Sequence, residues 1–407
     1  MVMLAIPIHA ALVTNIFQAQ QCAICYASTV RVGVKSLSRE MDMASEFTYD
    51  RWMEEQGIPI HRGYFVEDLR TVEVSPWSQR GCNAAFIQLA GMQGVVESRV
   101  QEIPPGGTLP AFKSSIDEIC YVLMGQGSTT VWSSKNEKRH SFEWSPRSMF
   151  LLPRNTWHQL SNMQGENTVR LLHYNYAPMA MSAIGNPDFF FNNDYEESLP
   201  ISDDLFGDAT SIVQEHIAEG EAGRTLWQGN FFPDMGVWDK LMHRPGRGSL
   251  NRSVYMMTPG TELTMHMSVF GAGTYKKGHR HGPGRVIVIP GGEGYSIMWA
   301  DENAERVVIP WHEASMFVPP DRWFHQHFNV GDVPGRYLAL HPPQQFVGMG
   351  ESVEDLANDQ IEYTAEEGWI REKFENELAK RGHKTAMPDE AYKDPHYTWD
   401  YQTVVDS

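Results

Sequence analysis

Gly125-Gln126-Gly127-Ser128-Thr129-Thr130-Val131-Trp132 and Gly292-Glu293-Gly294-Tyr295-Ser296-Ile297-Met298-Trp299 are one turn and return strand written twice, 167 residues apart. The same offset carries Ser148-Met149-Phe150 onto Ser315-Met316-Phe317, Pro153 onto Pro320, His158 onto His325 and Asn162 onto Asn329. One constant offset that aligns Gly, Pro, Trp and His positions marks an internal duplication, with a period too long for a solenoid. In each copy a short apolar run, Tyr121-Val-Leu-Met or Arg285-Val-Ile-Val-Ile, ends at Gly-x-Gly and returns at once, as hairpins do. Short strands punctuated by Gly and Pro, without helices between them, predict an all-β chain of two antiparallel barrels or jelly rolls.

The two copies differ in chemistry. The second reads Gly278-His279-Arg280-His281 before its hairpin and Pro319-Pro320-Asp321-Arg322-Trp323-Phe324-His325-Gln326-His327-Phe328-Asn329 after it. Residues i and i+2 share a strand face, so His279 and His281 can point into the barrel together. His325 returns on a later strand to complete a three-imidazole face for a metal, and His327 faces the same interior. The first copy has Phe112 and Ser114 at the offset of His279 and His281, and keeps Glu118, His158 and Asn162. One histidine and one carboxylate are too few for a metal site, so this copy reads as degenerate, kept for structure or assembly. Arg285 takes the offset of Glu118 and can clamp a carboxylate bidentately or pair with a rim acid. Arg322 borders the second ligand strand. Trp299, Trp311, Trp323 and His266 read as core, and Trp227 to Asp234 as a run that can cover a cavity mouth.

This pattern resembles the cupin superfamily, and the duplication makes it similar to a bicupin. The first cupin motif, G-x5-H-x-H-x3,4-E-x6-G, is matched by Gly273 through Gly292, with Arg285 where the glutamate belongs. The second, G-x5-P-x-G-x2-H-x3-N, is matched by Pro320, His325 and Asn329. H-R-H followed by P-P-x-x-W-x-H-x-H-x-N resembles the gentisate 1,2-dioxygenase group, whose relatives act on salicylate and hydroxynaphthoate. The resemblance implies two jelly-roll domains and an Fe(II) centre held by His279, His281 and His325, with His327 beside the substrate. It also implies a role in the degradation of aromatic compounds. The gentisate group differs in carrying its working site in the N-terminal cupin and a longer segment after the ligand pair.

Three neutral imidazoles leave a divalent ion its full charge and open positions, which favours anionic bidentate substrates and leaves room for O2. The leading expectation is a non-haem Fe(II) dioxygenase that cleaves a C–C bond, with His327 and Arg285 as catalytic residues. The alternatives are a Zn, Mn or Ni isomerase, lyase or hydrolase, and a non-catalytic small-molecule-binding bicupin.

The chain of 407 residues has 33 basic and 51 acidic side chains, a net charge of -18, which argues against nucleic acid or anionic membrane as a partner. Four cysteines, Cys22, Cys25, Cys82 and Cys120, make no disulfide framework, and a reducing, cytoplasmic setting is expected. Residues 1–42 are expected to lie outside the fold, as a presequence or as the product of a start placed ahead of Met41 or Met43. The expected divisions are 43–177 for the first cupin domain, 178–250 for a linker, 251–345 for the second domain and 346–407 for the tail. Short helices are expected in the linker, one near Ser211 to Gly220. A tail helix is expected from Thr364 to Arg381, opened by a Thr364–Glu367 capping box, lined by Trp369, Ile370, Phe374 and Leu378, and closed by Gly382. Duplicated barrels leave sheet edges to cover, so a homo-oligomer is expected.

Overall fold

The computed structural model describes residues 47–92, 94–133, 136–196, 206, 211–215, 224–237, 242–243, 245–343 and 357–400. The expected N-terminal extension, with Cys22 and Cys25, lies outside them. In the first copy the strands are β1 (Ile60–Gly63), β2 (Phe65–Val66), β3 (Ser75–Trp77), β4 (Cys82–Leu89), β5 (Glu97–Ile103) and β6 (Glu118–Met124). They continue with β7 (Gly127–Ser133), β8 (Asn136–Trp144), β9 (Met149–Leu152), β10 (Trp157–Asn162) and β11 (Val169–Asn175). Between the copies run β12 (Ser211–Glu215), β13 (Arg224–Gln228), β14 (Phe231–Phe232) and β15 (Met242–His243). The second copy holds β16 (Arg252–Met257), β17 (Thr264–Phe270), β18 (Gly278–His279), β19 (Val286–Gly291) and β20 (Gly294–Trp299). It ends with β21 (Val307–Trp311), β22 (Met316–Phe317), β23 (Phe324–Asn329), β24 (Gly335–His341) and, in the tail, β25 (Gln360–Ile361). The helices are α1 (Thr48–Glu55), α2 (Ala177–Ala183), α3 (Pro187–Phe191) and α4 (Gly368–Lys380).

Among the described residues, one barrel pairs the sheet β1-β4-β5-β11-β6-β9-β14 with the sheet β10-β7-β8. The other pairs β12-β13-β16-β17-β24-β19-β22-β2 with β21-β20-β23-β18-β25. The order β5-β11-β6-β9 recurs as β17-β24-β19-β22, and β10-β7-β8 recurs as β23-β20-β21. Even the register repeats at the offset read from the sequence: Trp157 lies opposite Trp132 as Phe324 lies opposite Trp299, and Asn162 opposite Gly127 as Asn329 opposite Gly294. The chain is two jelly rolls that repeat one strand order and register.

The repeated Gly-x-Gly has a local cause. Gly125 and Gly292 turn the chain with φ of 87° and 92°, a region open to glycine. Two residues on, a Cβ on Gly294 would lie 1.9 Å from the Phe328 carbonyl oxygen, and one on Gly127 2.3 Å from that of Ser161. The return strand can pack this tightly only without a side chain there. The paired asparagines play a matching part. Asn162 Nδ2 donates to the carbonyls of Ile103, Pro104 and Asn167, and Asn329 Nδ2 to those of Gly271 and Val333.

β10 alternates, burying His158, Leu160 and Asn162 on one face, whereas β6 and β20 are buried on both. For β20 the reason is the tail helix, whose Ile370, Phe374 and Leu378 pack with Tyr295, Ile297 and Trp299, and for β6 it is that the larger sheets of the two barrels meet. Val100, Tyr121 and Leu172 of the first share one apolar cluster with Met265, Val286 and Leu338 of the second. The barrels also exchange strands: β2 pairs with β22 of the second barrel and β14 with β9 of the first.

Two local expectations are corrected. Ser211–Glu215, expected as helix, is strand β12 paired with β13, because its Ile212-Val213 core is β-branched and finds a sheet edge. The tail helix begins at Gly368 and makes no Thr364–Glu367 capping box; the Glu367 side chain instead engages Arg306 and accepts from Trp369 Nε1. Ile370, Phe374 and Leu378 are buried as expected, against Tyr275, Tyr295 and Phe328 on the outside of the second barrel, and Trp369 is partly buried beside them. Among the described residues no helix is long and apolar enough to cross a membrane.

Candidate metal centre

His279 on β18 stands directly opposite His325 on β23. On its other edge β18 pairs with β25, and Asp359 of that tail segment binds both Arg280 and Arg322 side chains. His281 lies beyond the strand, where the first barrel fixes the chain: Gly284 N donates to Gly91 O at 2.8 Å, and Tyr174 Oη to Gly284 O at 3.1 Å. The result brings ring centroids of His279 and His325 to 4.3 Å, and of His281 and His325 to 4.6 Å. One nitrogen from each of the three can be chosen so that all lie within 4.8 Å of one another.

Hydrogen bonds at the far side of each ring set its tautomer. The Nδ1 atoms of His279, His281 and His325 lie 3.3, 2.8 and 3.2 Å from the carbonyl oxygens of Lys277, Gly282 and Trp323. A carbonyl only accepts, so each Nδ1 carries the hydrogen and each Nε2 presents a bare lone pair. The Nε2 of His325 is buried without a partner. These residues suit a divalent metal: neutral imidazoles, lone pairs converging, and a buried acceptor left unsatisfied.

His327, beside this set, is arranged differently. Its Nδ1 lies 2.8 Å from Ser296 Oγ, which also accepts from Trp311 Nε1 at 3.2 Å. Trp311 can only donate, so the buried Ser296 hydroxyl has its own hydrogen to place, and His327 Nδ1 is the acceptor in reach. His327 therefore carries its hydrogen on Nε2 and presents a donor where its three neighbours present lone pairs.

Arg285 lowers the basicity of His281 and His325 through its charge, so it lies within electrostatic reach of both. Its Nε is buried without a hydrogen-bond partner, and no carboxylate among the described residues pairs with it. The sequence did not single out Lys276 or Arg247. Lys276 is buried, donates to Ser268 Oγ and to Tyr337 Oη, and with Arg247 adds positive charge around His325 and His327. The His327 and Tyr337 ring centroids are 5.0 Å apart. The Lys276-Lys277 pair just before the histidines was the available signal.

Other candidates fall away from the centre. Arg322 is exposed and paired with Asp359. Trp299 and Trp311 are buried core, while Trp323 is partly buried beside Tyr64. His266 bonds His341, with Nδ1 and Nε2 2.8 Å apart. The Trp227 to Asp234 run is no cover: Phe231 and Phe232 are buried in the first barrel's sheet, and Asp234 pairs with Arg147.

In the first barrel Glu118, Cys120 and His173 also lie close together, but these groups already serve one another. Glu118 accepts from Arg99, from His173 Nδ1 at 2.6 Å and from Asn175 Nδ2 at 3.0 Å. The Arg99 guanidinium supplies the positive charge there. Burial pushes His158 down to about 3, so it is neutral.

Burial likewise pushes His325 down to about 3 and holds His279, His281 and His327 well below the ordinary imidazole value. All are neutral in the folded chain, whereas the unfolded chain takes up protons below about pH 6.5. Stability is therefore intact above the unfolded value and is lost as pH falls toward the folded one. Metal-free protein is expected to lose up to about 1.4 kcal/mol per pH unit for each of these histidines below about pH 6. Urea midpoints measured against pH check this, and a midpoint that stays level down to about pH 5 would contradict it.

No family model matches the chain, and no curated protein matches it. Solved structures of oxalate decarboxylase overlay in part. The Bacillus subtilis enzyme at pH 4.6 is 13% identical, with 69% of this chain and 76% of that chain covered and a TM-score of 0.43. A structure from work on the Mn(II) centres of the Bacillus subtilis enzyme is 11% identical, covering 70% and 78%, with a TM-score of 0.42. One from work on substrate binding and a reaction specificity switch in oxalate decarboxylase is 12% identical, covering 70% and 78%, with a TM-score of 0.43. With overlays this partial, the fold stands on the repeated strand order and register, and the site on its own geometry.

Proposed function

We propose that the second barrel houses a non-haem Fe(II) dioxygenase that cleaves a C–C bond of a bidentate anionic substrate with O2. The substrate class is a hydroxylated aromatic acid, a catechol-like compound or a dicarbonyl compound, as in the gentisate-type enzymes the sequence resembles. The observation that carries this reading is the division of labour among four buried imidazoles, three offering lone pairs and one an N–H. His279, His281 and His325 would hold the iron, whose chemistry when bound is Lewis acidity toward substrate oxygens and electron transfer to O2. Arg285, unpaired with any carboxylate among the described residues, binds the substrate's anionic group through its fork. His327 donates its Nε2 hydrogen to a substrate oxygen as charge develops there, and Ser296 holds the ring in that tautomer. The buried walls of the barrel keep bulk water from the reacting groups.

The test loads iron anaerobically and follows O2 consumption with salicylate, gentisate, catechols and β-diketones. One O2 consumed per substrate cleaved is the expected result, with Arg285→Met raising KM by about 10-fold to 100-fold. Turnover without O2, or with Zn, Mn or Ni alone, would replace the reading with a metal-dependent isomerase, lyase or hydrolase. Ligand binding that survives His325→Ala, with no turnover on any metal, would leave a binding protein.

A further inference from the structure

We propose that the first barrel, which has lost the metal ligands, is a binding site for a zwitterionic amino carboxylate with an aromatic or apolar side chain, held by Arg80. A cavity of 530 Å³ opens there, within the range of small-molecule sites. Phe112 and Ser114, at the offset of two of the second barrel's metal-face histidines, line it, so a ligand must be held by something other than a metal. Arg80 sits on the tight turn between β3 and β4, where its own N–H and that of Gly81 both donate to the Trp77 carbonyl at 3.0 Å. The turn cannot easily move, because a Cβ on Gly81, whose φ is 65°, would meet Pro110 Cδ at 2.9 Å.

The Arg80 guanidinium lies over the Phe112 ring, 5.4 Å from the Trp77 centroid, and among the described residues no group accepts a hydrogen bond from it. Arg99 in the same cavity is the contrast, since Glu97 and Glu118 are both committed to it. Burial and the charge of Arg99 lower Arg80 to about 9, which still leaves it cationic at neutral pH. Five N–H donors in a fixed fork, half-buried and unused, match a carboxylate.

The rest of the lining selects the other end of the ligand. Glu55 and Asp188 stand exposed at the mouth, and with Glu97 and Glu118 they outnumber Arg80 and Arg99 among the cavity's charges. A plain carboxylate meets net repulsion here, whereas an ammonium group on the same molecule relieves it. Between the two charges the walls are aromatic: Trp77 and Phe112 near Arg80, and Trp52 stacked on Phe191 with centroids 4.8 Å apart. These faces suit a flat or apolar side chain.

The experiment uses the full chain carrying His325→Ala, which keeps the second barrel's metal out of the measurement. L-Phenylalanine, 3-phenylpropionate (no ammonium) and phenethylamine (no carboxylate) are titrated by calorimetry and by tryptophan fluorescence. Phenylalanine is expected to bind at least about 10-fold more tightly than either analogue, and Arg80→Gln to weaken it by about 10-fold to 100-fold. Arg80→Lys, which keeps the charge and loses the fork, is expected to fall between. Thermal unfolding of each variant separates a lost site from a lost fold. Absence of saturable binding, equal binding by either analogue, or binding unchanged in a folded Arg80→Gln protein would each overturn the proposal.

Discussion

The His325→Ala protein is expected to retain less than about one hundredth of the wild-type affinity for a divalent metal. Removing a partner that merely orients a ligand costs about 10-fold to 100-fold, and here one of the three proposed ligands is itself lost. His325 lies between the other two histidines, with both ring centroids within 4.6 Å, so no two remaining donors replace it. The internal duplication supplies a control that few sites offer. His158 occupies the same register in the first barrel, opposite Val131 as His325 lies opposite Met298. His158→Ala is expected to leave metal content unchanged while removing a comparable volume of buried imidazole. Elemental analysis of both variants, with circular dichroism to confirm folding, makes the comparison. Equal metal content in the two would dismiss the second barrel as the metal centre.

Arg99→Met is expected to destabilise the chain by about 3–5 kcal/mol, the cost of breaking a buried ion pair from one side. Arg99 is 5% exposed and holds two carboxylates, Glu97 and Glu118, inside the first barrel. Burial pushes the Glu118 carboxyl up, but Arg99 and His173 outweigh it and hold it well below the usual range. In the wild type this stability is present above the unfolded carboxylate value and lost as pH falls through the folded one. Without Arg99, the largest influence opposing burial is gone and the Glu118 carboxyl rises, so the deficit should be largest at neutral pH and shrink toward about pH 5. Urea denaturation at several pH values tests both the size and the sign. Arg322→Met, which removes an exposed partner of Asp359, should cost no more than about 1 kcal/mol by the same assay. If the two substitutions cost the same, the buried network contributes no more than a surface pair.

What could be read in the sequence were features with positional signatures. Gly125 and Gly127 recur as Gly292 and Gly294 because positive φ and a crowded return strand tolerate little else. Alternation put His325 and His327 on one face, since a strand has period 2 and nothing interrupts β23. What could not be read depends on contacts between distant segments. Two-residue strands such as β2 and β14 carry no period, so their exchange between barrels leaves no local trace. Ser211–Glu215 was not legible as strand because a five-residue segment with two β-branched residues takes its conformation from the edge it meets. Arg99 and Arg80 sit in ordinary sequence surroundings, and only the closing of the first barrel gives one its partners and denies them to the other. The contrast between His327 and the ligand histidines was likewise hidden. It rests on which atom faces Nδ1, a serine hydroxyl in one case and carbonyls in the others.

The pairing of β2 with β22 sets a timetable for the growing chain. Glu67, just beyond β2, accepts a hydrogen bond through its carbonyl from Ser315, 248 positions later. At roughly 5–20 residues per second, Phe65 and Val66 leave the ribosome about 12–50 s before the strand they complete. For the first part of that interval, until Phe231 and Phe232 emerge, the first half can close its own sheet only in part, since β14 too is supplied from downstream. The early arm must stay uncommitted in water, with a bare edge and an apolar face beside it. A nascent chain halted between the two copies is thus the most adhesive form this protein passes through.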